Sequence, residues 1–484
     1  MSAQRNAYFT DVFPSGCEGS STLDENSLYY WSVDIQNADG TVLSSERWDF
    51  ATAVGTKFTS TNLIWSTEGN SSLIRARVAK ADGVTKALLT VTALGSDTVD
   101  TSKASGRYIF TAFVNNQEIG VGPTRRSSSK LFYNTYDITE QLAKGKANVL
   151  GLFSYAPGGT VSPGVLMQLT YFYSDGTSSV VYNSGSDVQN GSASTQAMSM
   201  DDIVYGTSGH SIGTQYYTEN AQNVDVSAFP ASWCDPDQVD GVDSGFKESS
   251  AGWEQPKSFG LPTTYKLSPS IVSNMKRSLV SVGSITRQRQ GVYTVAFNKE
   301  IIGDIQLTVT VPKGEKQAVR VTEGEQLSSG VAKYKMGTGN VYDETWIFSG
   351  GTSTFTGFSL RGFRYVTLHN FPGELTANDI KGVKVSLSTA DSEQSLSTGV
   401  EILDDVAELS QYTYEATTLD TVVDSVTRER RPYEGDALIY QALSYQNTDD
   451  YMTVRNTWNW LLDNPSQYTE YRMMTAIGIY RDYL

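Results

Sequence analysis

The chain has 484 residues, a hydrophobic fraction of 39% and a formal net charge of −16, from 37 basic and 53 acidic side chains. Length alone implies two to four domains, and cores on that scale need no disulfide or metal staple. The acidic balance argues against nucleic-acid and anionic-membrane partners, which select basic faces; it suits neutral and cationic ligands equally.

Cys17 and Cys234 allow at most one disulfide, and their separation is no metal pattern. His210 and His369 are isolated, which disfavours a Ser/His/Asp triad and a histidine-rich metal site. No apolar run approaches the ~18 residues of a membrane span. The opening MSAQRNAYFTD lacks the apolar core of a signal peptide. The compartment therefore stays open between secreted and cytoplasmic, and the oligomeric state is not legible.

In chain order, LYYWSVDIQ, YIFTAFVNN, VLMQLTYFYSDGTSSVVY, YTVAFN, IQLTVTV and FRYVTLHNF are rich in β-branched and aromatic residues. Many alternate apolar with polar, the mark of half-buried strands. Ala38-Asp39-Gly40, Ser174-Asp175-Gly176 and Pro312-Lys313-Gly314 supply turn signals between them. YFYSDGTSSVVY reads as a hairpin, with Asp-Gly providing the positive φ of a tight primed turn. Short, regularly spaced strands imply sandwiches up to about residue 395. From about 398 the period changes. VEILDDVAELSQYTYEATTLD places Val400, Leu403, Val406, Ala407 and Leu409 at helical spacing. DALIYQALSYQN, YMTVRNTWNWLLDN and EYRMMTAIGIYRDYL follow the same 3.6-residue logic.

Between the first two of these helices lies DSVTRERRPYEGD, Asp424 to Asp436, with four carboxylates and three arginines. From the residues alone, it is either a solvated charge cluster capping a helix or a reactive loop. Pro432 fits a loop-to-helix junction, and Asp436 then falls in the first helical turn, where the dipole favours the ionised form.

Taken together, these segments resemble the inverting α-L-rhamnosidases, a glycoside hydrolase family. The resemblance runs in order along nearly the whole chain. LYYWSVDIQNADGTVLSSERWDFATA is similar to the tail of a fibronectin-type-III module. FVNNQEIGVGPTRRSSSKLFYNTYDITEQLAKGKANVLGLFSYAP is similar to the family's N-terminal jelly roll, and TQYYTENAQNVDV to the linker that follows. GVYTVAFNKEIIGDIQLTVTVPKGEKQAVRVTEGEQL through GFSLRGFRYVTLHNFPGEL matches its second β-sandwich. The family's Phe-Gly-Gln-Asn is Phe297-Asn298-Lys299-Glu300 here. The family's catalytic motif has an Asp, a general acid five residues on and a second Asp twelve residues on; Asp424, Glu429 and Asp436 keep that spacing. Ser425-Val426 replaces the family's Cys-Pro, and Tyr433-Glu434 stands where a Trp is usual.

The implied organisation is a partial fibronectin-III-like module over 1–55, a jelly roll over 56–258, a second β-sandwich over 259–395 and the start of an (α/α)6 barrel over 396–484. The implied activity is hydrolysis of terminal α-L-rhamnose from a glycoside, oligosaccharide or polysaccharide. Inversion uses a protonated carboxyl and an ionised one ~6.5–9.5 Å apart. The resemblance makes Glu429 the proton donor. Asp424, Asp436, Arg428, Arg430 and Tyr433 are its substrate-binding neighbours, the carboxylates raising the acid's pKa and the arginines opposing them. No cofactor is implied.

Asp235-Pro-Asp237-Gln-Val-Asp240-Gly-Val-Asp243 reads as a solvated acidic linker or a weak calcium loop, off the EF-hand spacing by one residue. Trp458, Trp460 and Tyr451 read as helix core or as sugar-stacking rings. Tyr133, Asn134, Tyr136 and Trp233 read as core or, by fold analogy alone, as a second sugar surface. About 87 residues follow position 397, against ~200 for twelve helices and their connections. The family's base lies later in the barrel. The expectation is therefore a fragment with little or no hydrolysis by itself. A non-catalytic, carbohydrate-binding multi-sandwich protein is the alternative.

Overall fold

The computed structural model describes residues 23–78, 82–95, 108–143, 145–156, 162–191, 194–205, 210–239, 246, 252–388 and 397–484. Cys17, Asp240 and Asp243 lie outside these. The first described unit holds two small antiparallel pairs, Leu28–Trp31 with Trp48–Ala51 and Asp34–Gln36 with Val42–Ser44. The expected turn between the second pair forms, with Gly40 at φ +86°.

Two large sheets follow. The seven-stranded sheet has Gly164–Tyr173 and Val84–Leu94 at its centre, and Lys130–Asp137 beside them. Its apolar residues pack on Ser71–Val78, Phe110–Val114 and Asn148–Tyr155 of the other sheet, closing a core around Trp65, Val91, Leu152 and Met167. That twelve-stranded sheet then runs on without a break. Met275 pairs with Val121, which joins Gln117–Gly122 to Met275–Val280, and the ladder continues through Ile380–Leu387, Val292–Gly324 and Asp343–Thr356. A second core, around Trp346, Phe348, Phe355 and Phe363, sits under this half. Arg277 fastens the two halves, donating to both Glu118 oxygens at 2.8 and 2.6 Å and to the Gly357 carbonyl at 2.6 Å.

Two turn expectations need correction. The Asp175-Gly176 hairpin forms, but residues 174–177 separate its strands and only Gly176 has positive φ, at +84°. A primed two-residue turn needs positive φ at both central positions or at the first. Pro312-Lys313-Gly314 does not end a strand. The register with Asp343–Thr356 shifts between Val311 and Lys316, so the tripeptide belongs to a bulge inside one long strand.

After a short helix α1 (Ser184–Gln189), four helices occupy the C-terminal region: α2 (Glu401–Thr417), α3 (Glu434–Asn447), α4 (Met452–Asp463) and α5 (Thr469–Tyr483). All four expected helices are present. The expected apolar stripe of α2 does not face the core, however: Val400, Leu403, Val406 and Leu409 are exposed, and Tyr414 and Thr417 are the buried residues. Trp458 and Trp460 are core, each 2% exposed, and Trp460 Nε1 donates to the Arg126 carbonyl at 3.2 Å. Tyr133, Asn134, Tyr136 and Trp233 are buried too, so they form no sugar surface. Asn134 Oδ1 accepts from Thr124 N at 2.8 Å, and Tyr136 donates to the Val121 carbonyl at 3.0 Å. No helix among the described residues is long and apolar enough to cross a membrane.

Candidate active site

Residues 418–433 connect α2 to α3 and carry the charged stretch. Tyr433 is the N-cap position of α3, so Pro432 sits just outside the helix rather than in its first turn. Asp424 ties the loop to itself. Its amide donates to the Arg431 carbonyl at 3.0 Å, and its Oδ1 accepts from the Arg431 amide at 3.1 Å. Ser425 Oγ donates to Asp424 Oδ2 at 2.8 Å.

Glu429 lies between two donors. Arg428 Nη1 pairs with its Oε1, and the Tyr433 hydroxyl donates to its Oε2. Its side chain is only 11% exposed, against 48% for Arg428. Asp436 occupies the first turn of α3 as expected. Burial pushes its carboxyl upward and Glu429 adds to this, so the helix dipole does not prevail there. Burial also raises the Asp424 carboxyl, against the hydrogen bonds from Ser425 and Arg431, and the charge of Glu429 adds to the rise. Glu429, Asp424, Asp436, Arg428 and Tyr433 are thus brought together at one half-buried loop. Arg430 is not with them. It is 1% exposed, and its donors go to Val426 O (2.6 Å), Glu219 Oε2 (3.1 Å) and Leu360 O. A guanidinium so buried and turned onto these acceptors is out of a sugar's reach, so Arg430 is a fastener of the loop.

Sequence reasoning missed what the loop is fastened to. The linker at 214–219 grips it along its length. Thr214 Oγ1 donates to the Arg428 carbonyl at 2.7 Å, and Arg428 Nη2 donates to the Tyr216 hydroxyl at 2.9 Å. The Tyr217 ring lies 3.8 Å from the Arg430 guanidinium carbon. Arg125 of the preceding β region donates to the Arg430 carbonyl at 2.8 Å. The Tyr-Tyr-Thr-Glu run of the linker was the one available signal, and nothing local in it names the partner.

The second half of the twelve-stranded sheet comes to the same place through Gly362. A Cβ there would meet Thr427 Cγ2 at 2.6 Å and Glu300 Oε1 at 3.1 Å. Glu300, the last residue of the divergent Phe297–Glu300 stretch, is therefore beside the loop. Burial and the nearby Glu325 push its carboxyl up to about 7, and Arg364 opposes them. Deeper, Arg361 joins Glu323 (2.7 Å) and Glu344, and burial pushes both of these carboxyls upward. No group of three or more His, Cys, Asp or Glu side chains with metal-holding geometry occurs among the described residues. Asp237, from the acidic linker, pairs with Lys146 at 2.5 Å.

Residues 286–386 match the family model of the bacterial α-L-rhamnosidase concanavalin-like domain. The α-L-rhamnosidase of Dictyoglumus thermophilum superposes over 92% of this chain with a TM-score of 0.67 at 16% identity. The fold is that of the α-L-rhamnosidases. The native enzyme of Aspergillus terreus gives 0.65 over 91% of the chain at 18% identity, and that of Streptomyces avermitilis, solved with L-rhamnose, 0.63 over 92% at 15%. The chain spans about half the length of these α-L-rhamnosidases: 49%, 49% and 58%. A search of curated proteins gives no match.

Proposed function

We propose that this chain belongs to a glycoside hydrolase that removes terminal α-L-rhamnose by inversion. The observation that carries the reading is the meeting of Glu429, Asp424, Asp436 and Tyr433 at one loop on an α-L-rhamnosidase fold. Glu429 is the proton donor to the leaving oxygen. Each of its oxygens accepts one hydrogen bond, from Arg428 and from the Tyr433 hydroxyl. Arg428 is the half-exposed partner, and a sugar hydroxyl that takes its guanidinium frees Oε1. Asp424 and Asp436 accept from sugar hydroxyls. The substrate is a rhamnose-ended glycoside or polysaccharide, and the acid–base chemistry needs no cofactor.

The base that activates water belongs, by resemblance, to a later part of the family's barrel. The test is an aryl α-L-rhamnoside assay of the gene's complete product, with Glu429→Gln beside it. Loss of general-acid catalysis amounts to about 10²–10⁴-fold, and undiminished activity in the variant removes Glu429 from the role. A non-catalytic carbohydrate-binding protein is the competing reading, and one observation favours it: Glu429 is already satisfied on both oxygens. Saccharide binding with no hydrolysis in the complete product would establish that alternative.

A further inference from the structure

The linker contact to Arg428 does more than hold the loop down. We infer that Tyr216 is a positioning residue for Glu429, acting through Arg428. The inference rests on the reading of Glu429 as a site residue but not on its being the acid.

An exposed ion pair between neighbouring residues is worth little, because a long cation samples many rotamers. Arg428 is 48% exposed, so its pairing with Glu429 needs a second support. The guanidinium is a rigid planar fork, and fixing one prong fixes the other. One prong, Nη1, is on Glu429 Oε1, and the other, Nη2, is 2.9 Å from the Tyr216 hydroxyl. The ring of Tyr216 adds a cation–π contact, 4.9 Å from the guanidinium carbon to its centroid. The backbone is held at the same point by Thr214 Oγ1 on the Arg428 carbonyl. Tyr216 is half-buried and belongs to a segment some two hundred residues upstream. So a residue of the β region sets where a donor of the helical region points, and through it the direction of Oε1. Arg428, Tyr433, Asp424 and Asp436 are charged or titratable groups that face Glu429, and of these four Arg428 carries the contact to Tyr216.

The test uses the whole 484-residue chain. Side-chain ¹⁵N NMR of Arg428, assigned by loss of signal in Arg428→Lys, reports rotation of the guanidinium. A clamped fork gives separate Nη resonances. Tyr216→Phe keeps the ring and removes the hydroxyl, so the two resonances should coalesce, with amide exchange over residues 427–430 rising about fivefold, the equivalent of one hydrogen bond. In an Arg428→Lys background, Tyr216→Phe should leave that exchange unchanged. Unaltered guanidinium rotation in Tyr216→Phe overturns the proposal. So does exchange that rises throughout the linker with a lowered thermal midpoint, which marks a merely structural role. Failure of Glu429→Gln to reduce hydrolysis is a separate result, and it leaves this one standing.

Discussion

Arg430 Nη1 lies 3.1 Å from Glu219 Oε2, and both side chains are essentially without solvent contact. The pair joins the charged loop to the linker. Arg430 also sits at φ +55°, a left-handed conformation that costs a non-glycine residue about 1–2 kcal/mol. The contacts of its side chain therefore outweigh strain in its backbone. Arg430→Met removes this cation from the buried Glu219, and removal of one partner of a buried pair costs about 3–5 kcal/mol. Urea unfolding of the variant should show that loss. A change under about 1 kcal/mol would mean the pair does not fasten the loop.

Tyr433→Phe deletes the hydroxyl on Glu429 Oε2 while leaving the ring beside Arg431, 5.5 Å away. In the complete product we expect kcat to fall about tenfold, the effect of one hydrogen bond to a charged group, with the thermal midpoint unchanged. An unaltered kcat would separate Tyr433 from proton transfer.

Glu300 gives a pH dependence with a definite sign. Its carboxyl is raised in the fold, to about 7, from an ordinary value near 4.5. The folded chain thus binds more protons between these values than the unfolded chain, and stability falls as pH rises through that window. Its favourable contribution is complete below about pH 4.5 and is lost above about pH 7. Glu300→Gln removes the term, so the variant should gain on the wild type by about 3 kcal/mol between pH 4.5 and 8. Parallel stability curves for the two proteins would contradict this.

Gly478 of α5 lies against Trp458 of α4. A Cβ at this glycine would fall 2.1 Å from the indole Cζ2, and Trp458 is 2% exposed. Gly478→Ala should therefore destabilise the helical region by about 1–3 kcal/mol, through overpacking, and shift Trp458 fluorescence. Improved stability, the usual result of Gly→Ala in a helix, would show that the two helices separate easily.

Much of this architecture was legible in the chain, because helix period and strand alternation are local properties. The four C-terminal helices and the charged loop between α2 and α3 lie where periodicity and charge place them. The burial of a helix face is not local. Leu403, Val406 and Leu409 keep helical spacing yet are exposed, whereas Trp458 and Trp460 of α4 pack in the core. Arg430 illustrates the same limit. It stands in a run of three arginines that read alike, and what sets it apart from Arg428 is Glu219, some two hundred residues away. Asp436 is placed correctly by its helix-start signal, but desolvation by its surroundings reverses the tendency that the helix dipole suggests.

The ladder through Met275 and Val121, braced by Arg277 on Glu118, has a mechanical consequence. A hinge requires a seam along which two bodies slide, and strands bonded edge to edge resist shear. The two halves of the sheet are therefore held edge to edge at this join, with the helical region seated at their side. Breathing of the loop that carries Glu429 is therefore expected to arise in the loop and the linker, not across this braced join.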